Sequence, residues 1–255
     1  ALITHKAGLD HVTPHGHPER VARLEHVLAA LQPLDLMRVE ARQATEVELR
    51  RGHPQSYIDR IRATAPASGM AQLDGDTWMS PGSFEAALRA AGGACQAVDM
   101  VMAGEVANAF CATRPPGHHA ETATPMGFCL FGSAALAAKH ALDAHGLARV
   151  AVVDFDVHHG NGTQDLLWDE ARAMFCSTHQ MPLYPGTGAA SEVGAHGNVL
   201  NVPLDPNTDG AAMRRAYDDV IFPQLEEFEP ELVLVSAGFD AHAADPLANL
   251  MWTVE

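Results

Sequence analysis

No run of about 18 consecutive apolar residues occurs, so a membrane-spanning helix is not expected. No basic stretch followed by an apolar one opens the chain, so a secretory leader is not expected either. The first residues, Ala1-Leu2-Ile3-Thr4-His5, lack an initiator Met, and a trimmed chain is the expectation. Cysteine is scarce. Cys95, Cys111, Cys129 and Cys176 form no C-x-x-C pair, and each lies in an apolar stretch. That spacing excludes a cysteine zinc knuckle, and it reads as buried thiols in a reducing, cytoplasmic compartment rather than as a disulfide framework. Basic residues are few: 16 Lys and Arg stand against 32 Asp and Glu, a formal net charge of −16. Such a field repels nucleic-acid phosphates and attracts cations. No direct nucleic-acid or membrane partner is expected, and a small cationic substrate is compatible. Solubility alone accounts for such acidity equally well.

Repeats and low-complexity segments are missing too. With 255 residues, 47% of them hydrophobic, the chain can bury a substantial core. One large α/β domain and two small ones fit that length equally.

What is present is a chain that alternates short β-branched apolar runs with longer helical patterns. Helices are expected over Pro18–Leu31, Pro54–Arg62, Ser80–Ala103, Phe131–His145 and Ala211–Phe228. Ser80 reads as the N-cap of the third, with Pro81 in its first turn. The Gly92-Gly93 centre of that helix implies close packing, Gly146 stops the fourth, and Pro223 suggests a bend in the last. Strands are expected over Asn108–Thr113, Arg149–Phe155, Ala173–Ser177, Val199–Val202 and Leu232–Ala237, as runs buried on both faces. The alternation argues for parallel strands with crossover helices. Long irregular segments follow, over Thr113–Met126 and His179–Asn198, and loops of that length in a compact domain are usually functional.

Three strand ends carry chemistry. Phe110-Cys111-Ala112-Thr113 runs into Arg114-Pro115-Pro116-Gly117-His118-His119. Val150-Ala151-Val152-Val153 runs into Asp154-Phe155-Asp156-Val157-His158-His159-Gly160-Asn161-Gly162. Leu232-Val233-Leu234-Val235 runs into Ser236-Ala237-Gly238-Phe239-Asp240-Ala241-His242. Ligand sites of parallel α/β sheets lie beyond such carboxyl ends. In extended backbone, residues two apart point the same way, so Asp156 and His158 can grip one ion, with Asp240 as a third ligand. Three protein ligands and an open position make the pattern of a catalytic Zn²⁺ site. The set is oxygen-rich, so Fe²⁺, Co²⁺ and Mn²⁺ remain open. A lone aspartate at a strand end is usually a cap or turn former, and a lone histidine is usually structural; three such ends in one chain change that balance.

These segments resemble the histone deacetylase superfamily, and within it the class II-like bacterial amidohydrolases and acetylpolyamine amidohydrolases. The stretches that carry the resemblance are His15–Arg20, Arg114–His119, Gly127–Cys129, Asp154–Thr163, Leu183–Gly188, Asn201–Leu204, Ser236–His242 and Asp245–Leu247, in family order. The resemblance implies one arginase/deacetylase-like α/β domain over residues 1–255, with a central, mainly parallel sheet flanked by helices on both faces. It implies zinc-dependent hydrolysis of an N-acyl amide, either an acetyl-lysine side chain of a protein or an acetylpolyamine. Asp156, His158 and Asp240 then match the zinc ligands. His118 and His119 match the catalytic imidazole pair, and Asp154 the carboxylate behind His118. Gly127, Phe128 and Tyr184 match the walls of the acyl-lysine tunnel, and Leu247 its rim. Asp76, or else Asp74, matches an acidic rim residue. A structural K⁺ or Na⁺ would sit among Asp154, Asp156, His158, Ser177 and Thr178. Asn161 stands where some relatives carry a second Asp, and Gly132-Ser133 where many carry Asn. The family's Gly-Gly-Tyr segment, whose hydroxyl donates to the reacting carbonyl oxygen, does not occur in these 255 residues, and a chain truncated at the C-terminus is the expectation. Two alternatives stay beside this reading: a two-metal ureohydrolase of the arginase type, and a weak acyl-amine-binding module without turnover. Oligomeric state is not legible.

Overall fold

The computed structural model describes residues 1–254. They group into two compact units, Ala1–Ala141 and Leu142–Glu255.

The first unit runs β1 (Leu2–Thr4), α1 (Ala7–Asp10), α2 (Val21–Leu31), β2 (Arg38–Glu40), α3 (Glu46–Leu49), α4 (Gln55–Thr64), β3 (Ala71–Gln72), β4 (Trp78–Met79), α5 (Ser83–Met102), β5 (Phe110–Ala112) and α6 (Ser133–Ala144). β1 pairs in parallel with β2 on one side and β5 on the other. Successive strand residues face opposite sides, and this short strand uses both. Leu2 packs with Leu24, Val27, Leu28 and Leu31 of α2. Ile3 joins Ala97 and Met100 of α5 on the other face. The glycine pair of α5 does what its composition implies. A Cβ on Gly92 would lie 2.2 Å from the Arg42 carbonyl oxygen, so backbone meets backbone there.

The second unit runs β6 (Val150–Asp154), α7 (Asn161–Leu167), β7 (Ala173–Gln180), β8 (Val199–Leu204), α8 (Gly210–Ala216), a π-helical stretch (Tyr217–Ile221), α9 (Phe222–Phe228) and β9 (Leu232–Ser236). Its sheet has the order β8-β7-β6-β9, all parallel. Ala151, Val153, Met174 and Cys176 form one core face with Ile221, Tyr217, Leu225 and Phe228 of the helical stretch. Parallel sheets flanked by helices are thus the architecture, as the alternation of the sequence implies.

Several local expectations change. Ser80 is not the N-cap of α5. Its hydroxyl donates to the Asp10 carbonyl and accepts from the Val12 N–H, and the helix starts three residues later at Ser83. The helix expected over Ala211–Phe228 holds together through its π-helical middle. Pro223 has no N–H to give the preceding turn, and the wider turn before it absorbs the mismatch. β9 is not buried on both faces: among the described residues its strand partner is β6, and Val233 and Val235 are exposed. Cys111 is half-buried, while the other three cysteines are buried, and all four are thiols outside any disulfide. Among the described residues no helix is long and apolar enough to cross a membrane.

Candidate active site

Two clusters of chemistry-bearing residues stand out, one in each unit.

In the second unit, β6 ends on Asp154, which is fully buried and in register with Ser177 of β7 and Ser236 of β9. The chain then turns tightly, and each turn residue anchors the next. The Asp154 carboxylate accepts the Asp156 N–H at 3.0 Å, and the Asp156 carboxylate accepts the His158 N–H at 2.8 Å. From the end of β9, one Asp240 oxygen accepts the Val157 N–H at 2.9 Å. These backbone bonds aim both carboxylates at one imidazole nitrogen. His158 Nδ1 lies 3.1 Å from Asp156 and 3.0 Å from Asp240. One ligand atom from each of Asp156, His158 and Asp240 lies within 4.8 Å of the others.

The electrostatics of this trio call for a cation. Burial disfavours an imidazolium at His158, but the two facing carboxylates more than compensate and push its pKa up to about 10. A divalent ion meets the same demand, and two carboxylates with one imidazole form a suitable donor set. The space around the trio is also shaped for it. A Cβ on Gly238 would fall 2.1 Å from Asp156 Oδ2, so only glycine leaves that carboxylate in place.

Tyr184 stands edge-on to His158, with ring centroids 6.2 Å apart. Leu247 lies in the exposed loop after β9, its N–H bonded to Asp245. The Ser177 hydroxyl is bonded to His179 Nδ1 at 2.9 Å, and the Thr178 hydroxyl reaches Tyr217 at 3.4 Å.

In the first unit, β5 empties into the loop that carries His118 and His119. Their rings are buried and lie 3.9 Å apart at 45°. Gly127, in a left-handed conformation (φ 55°), passes so close to His119 that a Cβ would sit 2.2 Å from its ring. Phe128 is itself left-handed (φ 70°), which is costly for a residue with a side chain. Two contacts hold it there: its N–H donates to the Thr77 hydroxyl at 3.0 Å, and its ring meets His17 at 4.9 Å. His17 also bonds the Asp76 carbonyl at 2.9 Å, and the Thr77 hydroxyl reaches the Asp76 carboxylate at 3.3 Å. Asp74 caps the turn, accepting the N–H groups of Asp76 and Thr77. Partial burial, and then the negative charge of Asp74, raise the pKa of Asp76.

Sequence reasoning passed over His17, Thr77 and the buried ion pair that Arg114 forms with Glu19 as functional supports. Glu19 and Arg114 both lie in the stretches that carry the family resemblance, and that was the available signal. Nothing local marked Thr77.

The fold and the second cluster define a class: a parallel α/β protein with an acid–imidazole cluster, fit for a divalent ion, at its strand ends. Comparison with known proteins narrows it. The chain belongs to the histone deacetylase family, whose domain pattern matches residues 17–255. It is 36% identical to a probable deacetylase of Archaeoglobus fulgidus over 99% of this chain and 72% of that protein. It is 43% identical to a histone deacetylase-like amidohydrolase of Pseudomonas aeruginosa over 81% of this chain and 55% of that protein. The match to the chloroplastic histone deacetylase 10 of rice, at 40% identity, covers 93% of this chain and 59% of the relative. The chain thus spans little more than half the length of some relatives. The crystal structure of the HDA15 HD domain shares its fold, with a TM-score of 0.94 and 35% identity over 99% of this chain and 78% of that one.

Proposed function

We propose that this chain hydrolyses an N-acyl amine, an acetyl-lysine side chain or an acetylpolyamine, with one Zn²⁺ held by Asp156, His158 and Asp240. The observation that carries this is the convergence of those three ligand atoms within 4.8 Å, in a chain of the histone deacetylase family. In the reaction, water oxygen adds to the acyl carbon and the C–N bond breaks. Acetate and a protonated amine leave.

The chemistry a divalent ion supplies when bound is Lewis acidity towards an amide carbonyl and towards water. The chain's own residues do the rest. Asp154 supports the ligand turn by accepting the Asp156 N–H. His119 takes the proton of the attacking water and returns it to the leaving nitrogen, and His118 assists electrostatically. Asn161, a neutral residue where an acidic one would raise imidazole basicity, suits a general base. Phe128 and Tyr184 each offer an aromatic face to the aliphatic stem of the amine, and Gly127 leaves room beside His119. Asp76 gives the rim a carboxylate for the polar end of the substrate. The acidic surface of the chain suits a cationic product and substrate, and does not suit nucleic acid.

A second reading is an acyl-amine-binding module without turnover. A fluorogenic acetyl-lysine assay on the metal-loaded chain tests both. Turnover that Asp156→Ala abolishes supports hydrolysis; binding of the acyl peptide with no turnover supports the module. Metal analysis giving two ions per chain would instead favour a ureohydrolase-like centre.

A further inference from the structure

The residues just after the proposed metal ligands and the loop bearing Tyr184 are joined by a closed ring of hydrogen bonds. His159 follows His158 directly, and its Nδ1 accepts the Thr187 hydroxyl at 2.8 Å. Its Nε2 donates to the Gln164 carbonyl oxygen at 3.0 Å, beside a second donor to that oxygen, Asn201 Nδ2 at 2.7 Å. With its oxygen so occupied, Gln164 turns its amide N–H outward, onto Glu192 at 2.6 Å. Glu192 then accepts the Gly188 N–H, 3.1 Å from each carboxylate oxygen, and the Ala189 N–H at 3.1 Å. Gly188 is bonded covalently to Thr187, and the ring is closed.

Gly188 has no freedom to leave this arrangement. It is left-handed (φ 94°), its carbonyl accepts His179 Nε2 at 2.9 Å, and a Cβ there would strike the rings of His179 and His159. Within the ring the Glu192 carboxylate is the one anionic member. Burial works against its charge, but the bonds from Gln164, Ala189 and Gly188 outweigh that and lower its pKa. Charge-assisted bonds of this kind are about twice as strong as neutral ones. The loop carrying Tyr184 is thereby fastened to the segment carrying His158, and Tyr184 stands edge-on to that imidazole.

We propose that Glu192 is the positioning residue for Tyr184: its carboxylate closes the ring that sets this aromatic wall beside His158, and so sets the fit of the substrate's aliphatic stem. The inference rests on the hydrolase reading for its substrate but not for its geometry.

The test uses Glu192→Ala, Tyr184→Ala and the double variant of the whole chain. Hydrogen exchange of the 183–189 segment should quicken about tenfold or more in Glu192→Ala, as expected when charge-assisted bonds are lost, with β6 and β7 unchanged. KM for an acetyl-lysine peptide should rise about tenfold while kcat stays within about threefold, the pattern of lost ground-state fit. The double variant should bind no worse than Tyr184→Ala alone, because both changes remove one wall. Unchanged exchange at 183–189 overturns the proposal, and so do additive effects of the two substitutions. If the unsubstituted chain hydrolyses no acyl amine, the function reading fails, and the exchange result alone decides the positioning role.

Discussion

Arg114 and Glu19, 95 residues apart, form a buried two-point ion pair, with Arg114 Nε and Nη2 each 2.5 Å from a carboxylate oxygen of Glu19. Arg114 also donates to the Gly8 carbonyl at 2.7 Å, and His11 lies 3.5 Å from the same carboxylate. The pair pins the start of the loop that presents His118 and His119 to the N-terminal segment of the chain. Removing one partner leaves an uncompensated buried charge, so Glu19→Ala should lower stability by about 3–5 kcal/mol in urea unfolding.

The same pair sets an acid limit. Burial disfavours the Glu19 carboxylate, but the hydrogen bonds and charges of His11 and Arg114 prevail and lower its pKa to about 2 from 4.5. The folded state therefore gives up this proton more readily than the unfolded one. The resulting stability is complete above pH 4.5 and is lost as pH falls towards 2. Urea midpoints measured between pH 6 and 2.5 should fall less steeply in Glu19→Gln than in the unsubstituted chain; equal slopes would contradict the assignment.

Asp240→Asn keeps an oxygen for the Val157 N–H but removes one charge from the ligand trio. Zinc affinity by competition with a chromophoric chelator should fall about a hundredfold or more, beyond the usual effect of losing a ligand's supporting group. Gly238→Ala should do the same without replacing a ligand residue, because its Cβ would displace the Asp156 carboxylate. Retained affinity in both variants would remove the trio as the metal centre.

The histidine pair gives a kinetic prediction. His119→Ala should lower kcat by about 10²–10⁴-fold with zinc content unchanged, as expected for loss of a general base. His118→Ala should cost less. Loss of metal together with activity would point to a structural role instead.

Asn198 gives a stability prediction away from the chemistry. Its side-chain amide reaches the carbonyls of Leu167, Glu170 and Ala173 at 3.0, 3.2 and 3.0 Å, closing the turn from α7 into β7. Asn198→Leu should cost about 2–3 kcal/mol, because buried carbonyls lose their donor. Thermal unfolding checks this directly.

Much of the architecture was legible because apolar runs such as Val150–Val153 have few alternatives to a buried strand. The acids and imidazoles that follow them mark the strand ends. Short elements were not legible. β1 is three residues long, and it exists because β2 and β5 flank it and α2 and α5 cover its faces. Ser80 misled because its hydroxyl is taken by Asp10 and Val12, residues that a local reading cannot bring near. Exposure of β9 was likewise invisible, since a run of Val and Leu reads alike at an edge and in a centre.

By itself the sequence determined which residue types stand after each strand and at what spacing, because strand periodicity and turn chemistry are local. That was enough to nominate Asp156, His158 and Asp240. Only the tertiary structure decided that Asp240, some 80 residues on, meets His158, because β9 lies parallel beside β6 with Ser236 level with Asp154. It alone decided that Glu192 holds the loop of Tyr184 and that Thr77 holds Phe128. Hydrogen bonds between distant segments depend on how the backbone is packed, and no local pattern encodes them.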